Sequence, residues 1–222
     1  MQDKNLTMKK TYTLLILLSL FLLSCTNDRE IISNNVVIDP SSVLIHYWNF
    51  NSITGTQTSV NPDLTLLPSS GAAITYPGSG AGYMDAFSPG YDLNSQNSEV
   101  AGSGLRARNP SDTRNLLLSL PTTGYKTIVV QFATAISSSG ATTQNYSYTI
   151  DGINFITTGL GTTTINPSTD PTATLVSLDF TGISGVNNNP NFKVKINFSG
   201  ATASGTSGND RFDNVSVKGI LQ

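Results

Sequence analysis

The chain carries few side chains that could do catalysis. Among its 222 residues there is one histidine, His46, and one cysteine, Cys25. A zinc site of Cys/His type or a disulfide needs more of either residue, and a serine hydrolase would have to use His46 as its base. His46 lies in the strand-like run from Leu44 to Trp48, and the sequence contains no Gly-x-Ser-x-Gly elbow. We therefore expect a structural histidine.

The chain also offers few carboxylates that could act as an acid/base pair. Glycoside hydrolysis needs two carboxylates at a fixed separation, one of them with a raised pKa. After residue 25 the chain has only two glutamates, Glu30 and Glu99, so a glutamate pair on a sheet is excluded. Aspartate pairs are available, namely Asp85 with Asp92 and Asp210 with Asp213. Because such turn-like aspartates more often cap turns or bind metals, an aspartate-dependent glycan-active enzyme is our third hypothesis.

One aspartate stands out by its position in a strand. Period-two alternation places Asp213 on the same face as Val215 and Val217. If that face is the core, the carboxylate must be neutralised, since an unpaired buried charge is very costly. Arg211, a hydrogen-bonded network or a hard cation such as calcium could do so.

The elements that must position these residues are strands. Beyond residue 25 no window of eleven residues keeps a helical apolar period, whereas alternation is plentiful. Asp151-Gly152, a pair favoured in type I′ turns, predicts a hairpin. We predict an all-β, antiparallel β-sandwich of jelly-roll type over residues 43–222. The predicted strands are Val43–Asn51, Ala72–Tyr76, Leu105–Asn109, Asn115–Leu120, Lys126–Ala133, Gln144–Asp151, Ile153–Thr157, Ala173–Phe180, Asn191–Phe198 and Arg211–Lys218.

The N-terminus is typical of an export signal. Lys9 and Lys10 precede ten residues, Leu14–Leu23, that are apolar except for one serine. That run is too short to span a bilayer, which takes about 20 residues. Residues 1–24 are therefore predicted to be a signal peptide, with Met8 as an alternative start. Residues 25–42, polar and asparagine-rich, are predicted to be a flexible tether.

The end of this signal resembles the lipobox of bacterial lipoproteins in the four residues from Leu22 to Cys25. The resemblance implies that Cys25 becomes the lipidated first residue, carrying acyl chains such as palmitate, and an ordinary cleaved signal is the alternative. A lipid anchor would place the domain at the outer membrane of a Gram-negative bacterium. Residues 25–222 carry 9 basic and 13 acidic side chains without a basic cluster, so no nucleic-acid partner is expected.

Three short segments carry a family resemblance. The first strand, with Tyr47-Trp48-Asn49-Phe50-Asn51, and the last, with Phe212-Asp213-Asn214-Val215-Ser216-Val217, resemble those of galactose-binding-like and carbohydrate-binding-module jelly rolls of Bacteroidetes-type surface proteins. Residues 146–155 are similar to an internal hairpin of the same domains. The resemblance implies a structural calcium ion held by Asp213 with Asn49 or Asn51.

Sugar recognition in such domains implies exposed aromatic platforms beside hydrogen-bonding side chains. The stretch Thr75–Asn97 is long and glycine-rich, and we expect it to form part of a binding face. The predicted binding residues are Tyr76, Tyr83, Phe87 and Tyr91 with Asp85, Asp92, Arg106 and Arg108. The alternative is that these aromatics fold back over the core, where Trp48 is also expected.

The scarcity of reactive side chains favours binding over catalysis. The first hypothesis is thus a lipid-anchored, extracytoplasmic, non-catalytic protein that binds a glycan or glycoconjugate. The alternative is a structural or adhesive surface protein that binds another protein by strand pairing at a sheet edge.

Overall fold

The structure, a computed structural model, describes Asp39 and residues 41–222. The predicted signal peptide, Cys25 and most of the predicted tether lie outside these residues. No helix in the described part is long and apolar enough to cross a membrane. The strands are β1 Val43–Trp48, β2 Thr56–Gln57, β3 Ser59–Val60, β4 Leu64–Thr65, β5 Ala73–Thr75, β6 Met84–Phe87, β7 Gly104–Arg108, β8 Asn115–Ser119, β9 Tyr125–Ile136, β10 Thr143–Thr149, β11 Thr164–Ile165, β12 Thr174–Asp179, β13 Lys193–Ser199 and β14 Asn209–Leu221, and a 3-10 turn spans Ser184–Val186.

These strands form two antiparallel sheets. Sheet A has the order β12-β9-β14-β7-β6-β2, with β1 beside β14 and β4 beside β1, and sheet B has the order β11-β10-β13-β8-β5-β3. From β7 to β14 successive long strands alternate between the sheets, which is the connectivity of a jelly roll. The predicted antiparallel β-sandwich is confirmed.

The core lies between the sheets, where the alternating side chains of both meet. In β13, Val194, Ile196 and Phe198 are buried, whereas Lys193 and Lys195 on the other face are half-buried. The ring of Phe212 in sheet A lies 6.2 Å from that of Phe198 in sheet B. Ring contacts of this kind fix how the two sheets interdigitate.

Two residues of β1 behave as the sequence predicts. Trp48 is fully buried in the core and donates its indole N–H to the carbonyl of Val60 at 3.0 Å. The ring nitrogens of His46, also fully buried, lie 2.8 Å from Thr65 Oγ1 and 2.8 Å from the Pro121 carbonyl. Desolvation lowers the pKa of His46, so this is a neutral structural histidine.

The last strand differs from the sequence prediction at one residue. Asn214 adopts a positive φ of 50°, and the pairing with β9 shifts register between Asp213 and Ser216. This β-bulge adds a residue, so Val215 and Val217 face the core while Asp213 pairs with Ala133 and lies on the opposite face. The prediction that Asp213 shares the face of Val215 and Val217 is therefore wrong.

The predicted hairpin turn is also different. Ile156 pairs with Tyr148 as an isolated bridge, and Ile153–Thr157 does not form a strand. Asp151 keeps a negative φ, and its side chain accepts the N–H groups of Ile153 and Asn154. This side-chain turn replaces a two-residue type I′ turn, which would need positive φ at both central residues.

Candidate functional site

A groove opens where the chain crosses from one sheet to the other. In residues 56–60, β2 pairs with β6 of sheet A and, two residues later, β3 pairs with β5 of sheet B. The groove beside this crossing has a volume of about 370 Å³. Hydroxyl, amide, aromatic and guanidinium groups and a few apolar ones meet in its lining. The lining residues are Thr56, Gln57, Thr58, Thr75, Tyr76, Pro77, Gly82, Tyr83, Met84 and Arg114.

Tyr83 is the exposed aromatic residue of this groove, with 42% of its surface accessible. The Arg108 guanidinium lies over its ring at 5.6 Å from the ring centre. Arg108 and Arg106 each donate two hydrogen bonds to Asp85, with Nη2 to Oδ2 distances of 2.8 Å. Burial opposes ionisation of Asp85, but the hydrogen bonds from the two arginines outweigh it and lower its pKa. The charged network therefore holds the cation against Tyr83.

The β6–β7 hairpin explains why these residues meet. Asp85 lies directly opposite Arg106 in the register, and Arg108 bonds its backbone N–H to the Tyr83 carbonyl. Tyr83, Asp85, Arg106 and Arg108 were predicted as binding residues, and the structure brings them together.

Tyr76 lines the groove but is only 6% exposed. Its hydroxyl donates to the Arg108 carbonyl at 3.2 Å, and the Arg114 guanidinium lies 5.4 Å from its ring centre. Tyr76 is therefore a wall of the groove, and the prediction that it is an exposed platform is wrong. Its ring packs in the core and contacts the guanidinium of Arg114.

Arg114 is a groove residue that the sequence did not reveal. It donates from Nη1 to the Tyr76 carbonyl and from Nη2 to the Gly80 carbonyl, at 2.8 and 2.7 Å. A Cβ at Gly78 would lie 2.7 Å from Arg114 Cγ, and one at Gly82 would lie 3.0 Å from Arg114 Cδ. The glycine-rich turn 76–82 is thus wrapped around this arginine. The sequence shows the glycines, but it does not show that they pack around Arg114, which lies 30 or more residues later.

Residues 88–103, which we call the roof segment, cover the outer face of sheet A. Phe87, just before it, and Tyr91 within it are 5% and 8% exposed and pack against Ala133 and Ala135 of β9. The prediction that Phe87 and Tyr91 form exposed platforms is therefore wrong, and the alternative that they fold back is correct for them. The reason is the small size of the two alanines, which leaves room for aromatic rings on an otherwise buried strand face.

Hydrogen bonds to the last strand fix the roof segment. Asn214 donates its amide to the carbonyls of Tyr91 and Leu93, at 2.6 and 3.1 Å. Asn94 in turn donates to the Asn214 carbonyl at 2.6 Å. Asp92 accepts the N–H of Ala101 inside the segment at 3.0 Å. Asp92 therefore shapes the roof segment.

The predicted aspartate pairs do not form acid/base dyads. Asp85 is held by two arginines, whereas Asp92 lies in the roof segment and bonds to it. Asp210 and Asp213 lie on opposite faces of β14: Asp210 bonds Gln144 and the Ala141 N–H between the sheets, and Asp213 lies beneath the roof segment. A carboxylate pair across a sugar must share one surface, so Asp210 and Asp213 do not have the geometry that glycoside hydrolysis needs. In the other pair, the bonds from two arginines lower the pKa of Asp85, which does not suit a general acid.

Asp213 is neutralised by hydrogen bonds among the described residues. It is 1% exposed, and it accepts the N–H of Tyr91 at 2.6 Å and that of Asn214 at 2.8 Å. Burial outweighs these bonds and raises its pKa to about 7. Of the three explanations considered for its charge, the hydrogen-bonded network is the one seen.

The predicted calcium ligands are engaged in the same way. Asn49 Oδ1 accepts the N–H of Asn51, and Asn51 Oδ1 accepts that of Ser103. Within residues 41–222 and Asp39, no group of three or more His, Cys, Asp or Glu residues could hold a metal. Asn49, Asn51 and Asp213 thus already accept backbone N–H groups, and calcium binding stays a prediction.

Comparison with known proteins identifies no family. No family model matches the chain, and no curated protein matches it. Among solved structures, the CBM22-1 xylan-binding domain of Paenibacillus barcinonensis Xyn10C covers 83% of this chain and 99% of its own, at 8% identity and a TM-score of 0.47. The K1 cleaved adhesin domain of Lys-gingipain from Porphyromonas gingivalis covers 79% and 96%, at 10% identity and a TM-score of 0.40. At these values the ligand must be argued from the site.

Proposed function

We propose that this chain is a lipid-anchored, extracytoplasmic, non-catalytic protein that binds a glycan in the groove beside Tyr83. The observation that carries the proposal is an exposed tyrosine, 42% accessible, at a groove lined by Thr56, Gln57, Thr58 and Thr75. Sugar rings present C–H faces that stack on aromatic rings, and their hydroxyls exchange hydrogen bonds with hydroxyl and amide side chains. The groove offers both kinds of contact side by side.

The chemistry of the groove favours binding over hydrolysis. None of the described residues that line it is a carboxylate. Asp85 on β6 has a lowered pKa because two arginines donate to it, which is the opposite of what a general acid needs. The groove thus supplies recognition without a proton donor of the glycosidase kind.

The substitution Tyr83→Ala tests this function. Residues 36–222, which form one compact unit, are screened on a glycan array, and the affinity for any glycan bound is measured by calorimetry. We expect Tyr83→Ala to weaken binding about tenfold, because it removes the stacking surface. Phe155→Ala is the matched control. Phe155 is a half-buried aromatic residue away from the groove, and the Nζ atom of Lys195 in sheet B lies 3.9 Å from the centre of its ring. Equal losses in both variants, or no loss for Tyr83→Ala, would contradict the proposed site.

The anchor is a separate part of the proposal. It rests on the sequence from Lys9 to Cys25, which lies outside the described residues. We expect Cys25→Ala to abolish incorporation of labelled palmitate and to release the protein from membranes on cell fractionation. If the wild-type protein incorporates no labelled palmitate, the N-terminus is an ordinary cleaved signal peptide and Cys25 is not lipidated. Retention of the variant in the membrane fraction would show that another feature holds it there.

A second candidate function is adhesion to another protein. Ile150, Ile153 and Ile156 follow β10 and are 42%, 79% and 40% exposed, and Ile156 bridges to β10 at the edge of sheet B. Exposed apolar side chains at a sheet edge favour a protein partner. A glycan screen with no binding would leave this function ahead.

A further inference from the structure

The charges around the groove are unequal in sign. Arg114 lines it, and the guanidinium of Arg108 lies over the ring of the lining residue Tyr83, whereas Asp85 is the carboxylate that pairs with Arg108 and Arg106. Two carboxylates, the buried Asp210 and the exposed Asp112, also act on the groove residue Tyr76. Residues 25–222 as a whole are acidic, with 13 acidic and 9 basic side chains. The described residues that line the groove thus include one cation, Arg114, and no carboxylate.

Arg114 keeps its charge without an ion pair among the described residues. Its Nη1 and Nη2 atoms donate to the backbone carbonyls of Tyr76 and Gly80, which orient the guanidinium but do not cancel its charge. Its Nε is buried and has no hydrogen-bond partner. A guanidinium held by neutral carbonyls keeps its full charge, and an anionic acceptor in the groove would pair with that charge.

Arg108 and Arg106 share a single carboxylate. Both donate from Nε to Asp85 Oδ1 and from Nη2 to Asp85 Oδ2. Two positive charges on one negative charge leave an excess beside Tyr83, because the guanidinium of Arg108 lies 5.6 Å from the centre of its ring, which remains 42% exposed. A ligand that stacks at Tyr83 therefore meets positive charge at the platform and at the wall formed by Arg114.

We infer that the groove takes a glycan whose sugar units carry anionic groups, either the carboxylate of a uronic acid or a sulfate ester. The inference rests on the proposed glycan-binding function and names the class of sugar. Arginine suits both groups, since its planar fork of N–H donors matches two anionic oxygens at once. Neutral sugars would use the hydroxyl and amide lining but would leave the excess charge unpaired.

Matched polymers separate this inference from the proposed function. We suggest affinity electrophoresis of residues 36–222 in gels containing polygalacturonate or its methyl-esterified form, and dextran sulfate or dextran. The first pair reports on carboxylate and the second on sulfate, each with a neutral counterpart of the same backbone. We expect at least about fivefold tighter binding to one anionic polymer than to its counterpart, and weakening as salt rises from about 50 to about 200 mM.

Single-charge variants locate the effect. Arg108→Gln should weaken binding to the anionic polymer about fivefold, and Asp85→Asn, which frees two arginines, should strengthen it. Lys126→Gln makes the same change of charge as Arg108→Gln at an exposed residue of β9 and should have little effect. The opposite signs for Arg108→Gln and Asp85→Asn cannot both come from a folding defect.

Each remaining outcome has a definite reading. Equal, salt-independent binding to the neutral counterpart or to other neutral glycans would overturn the inference and leave glycan binding intact. Equal weakening by Arg108→Gln and Lys126→Gln would also overturn it, since the attraction would then be general. Binding to no glycan, neutral or anionic, would overturn the proposed function itself.

Discussion

The groove and the roof segment differ in how far they expose their aromatic residues. Residues 76–83 wrap around Arg114 and end at Tyr83, which is 42% exposed beside the groove. The roof segment, residues 88–103, begins one residue after Phe87 and buries Tyr91 to 8% exposure. The difference lies in the surface that each part meets.

That surface is set by the strands beneath. Under the roof segment, β9 presents Ala133 and Ala135, whose small side chains leave space for aromatic rings and offer no polar group. At the groove, Tyr83 meets the guanidinium of Arg108, which must keep its contacts with Asp85. A cation alone does not keep a ring accessible, since Arg211 lies 5.0 Å from the ring centre of the buried Phe87. The difference is the pair of small apolar residues on which Phe87 and Tyr91 pack.

The largest expected effect breaks the roof segment. Tyr91→Ala removes a buried ring packed on Phe87, with ring centres 5.3 Å apart, and a hydroxyl that donates to Asp170 at 2.8 Å. We expect the free energy of unfolding to fall by about 3 kcal/mol, as for other buried aromatic side chains. Urea denaturation followed by fluorescence measures this change.

Tyr83→Ala makes the same change of side chain at the groove as Tyr91→Ala makes in the roof segment. Because its ring is largely exposed, we expect a loss of stability below about 0.5 kcal/mol in the same denaturation experiment. A large loss for Tyr83→Ala, or a small one for Tyr91→Ala, would break the distinction between groove and roof segment.

A smaller effect follows from pH, since the carboxyls of the two regions shift in opposite directions. Burial raises the pKa of Asp213, under the roof segment, and of Asp210, between the sheets, to about 7 each. The folded state therefore favours their protonated forms. Their contribution to stability is fully present below the ordinary aspartate pKa and is lost as pH rises from there to about 7. We expect a decrease on the order of 2 kcal/mol between pH 5 and pH 8, measured by urea denaturation.

The Asp85 carboxyl on β6 supplies the control for this pH dependence. The pKa of Asp85 is lowered, so its contribution is present above the ordinary aspartate pKa and is lost only as pH falls below it. Asp213→Asn should flatten the decline between pH 5 and pH 8, and Asp85→Asn should not. Calcium bound at Asp213 would hold its carboxylate charged, so added calcium should also flatten the decline if the calcium prediction is correct. A decline that neither Asp213→Asn nor calcium alters would assign it to Asp210.

The sequence predicted most of the strands because their alternation is strict. Asn191–Phe198 was predicted where β13 spans Lys193–Ser199, and its four inward side chains are buried. The β-bulge at Asn214 was missed, because one inserted residue resets the alternation and only the backbone shows it. The same insertion explains why Asp213 was assigned to the wrong face.

The candidate site was predicted in part for a similar reason. Asp85, Arg106 and Arg108 meet through a local hairpin register, which residues close in sequence can reveal. Gln57 and Arg114 come from distant segments that meet only when both sheets have formed, so no local pattern identified them. Burial of Tyr91 depended on two alanines about 40 residues later, which is equally non-local.

The place of β14 has a consequence for the order of folding. This last strand lies within sheet A, with β9 along one side and β1 and β7 along the other. While the chain is made from its N-terminus, sheet A lacks its central member until β14 has emerged. Closing such distant pairings is slow because the loop entropy is lost before the contacts form. We therefore expect the domain to stay open during synthesis and to close only when its C-terminal strand is released.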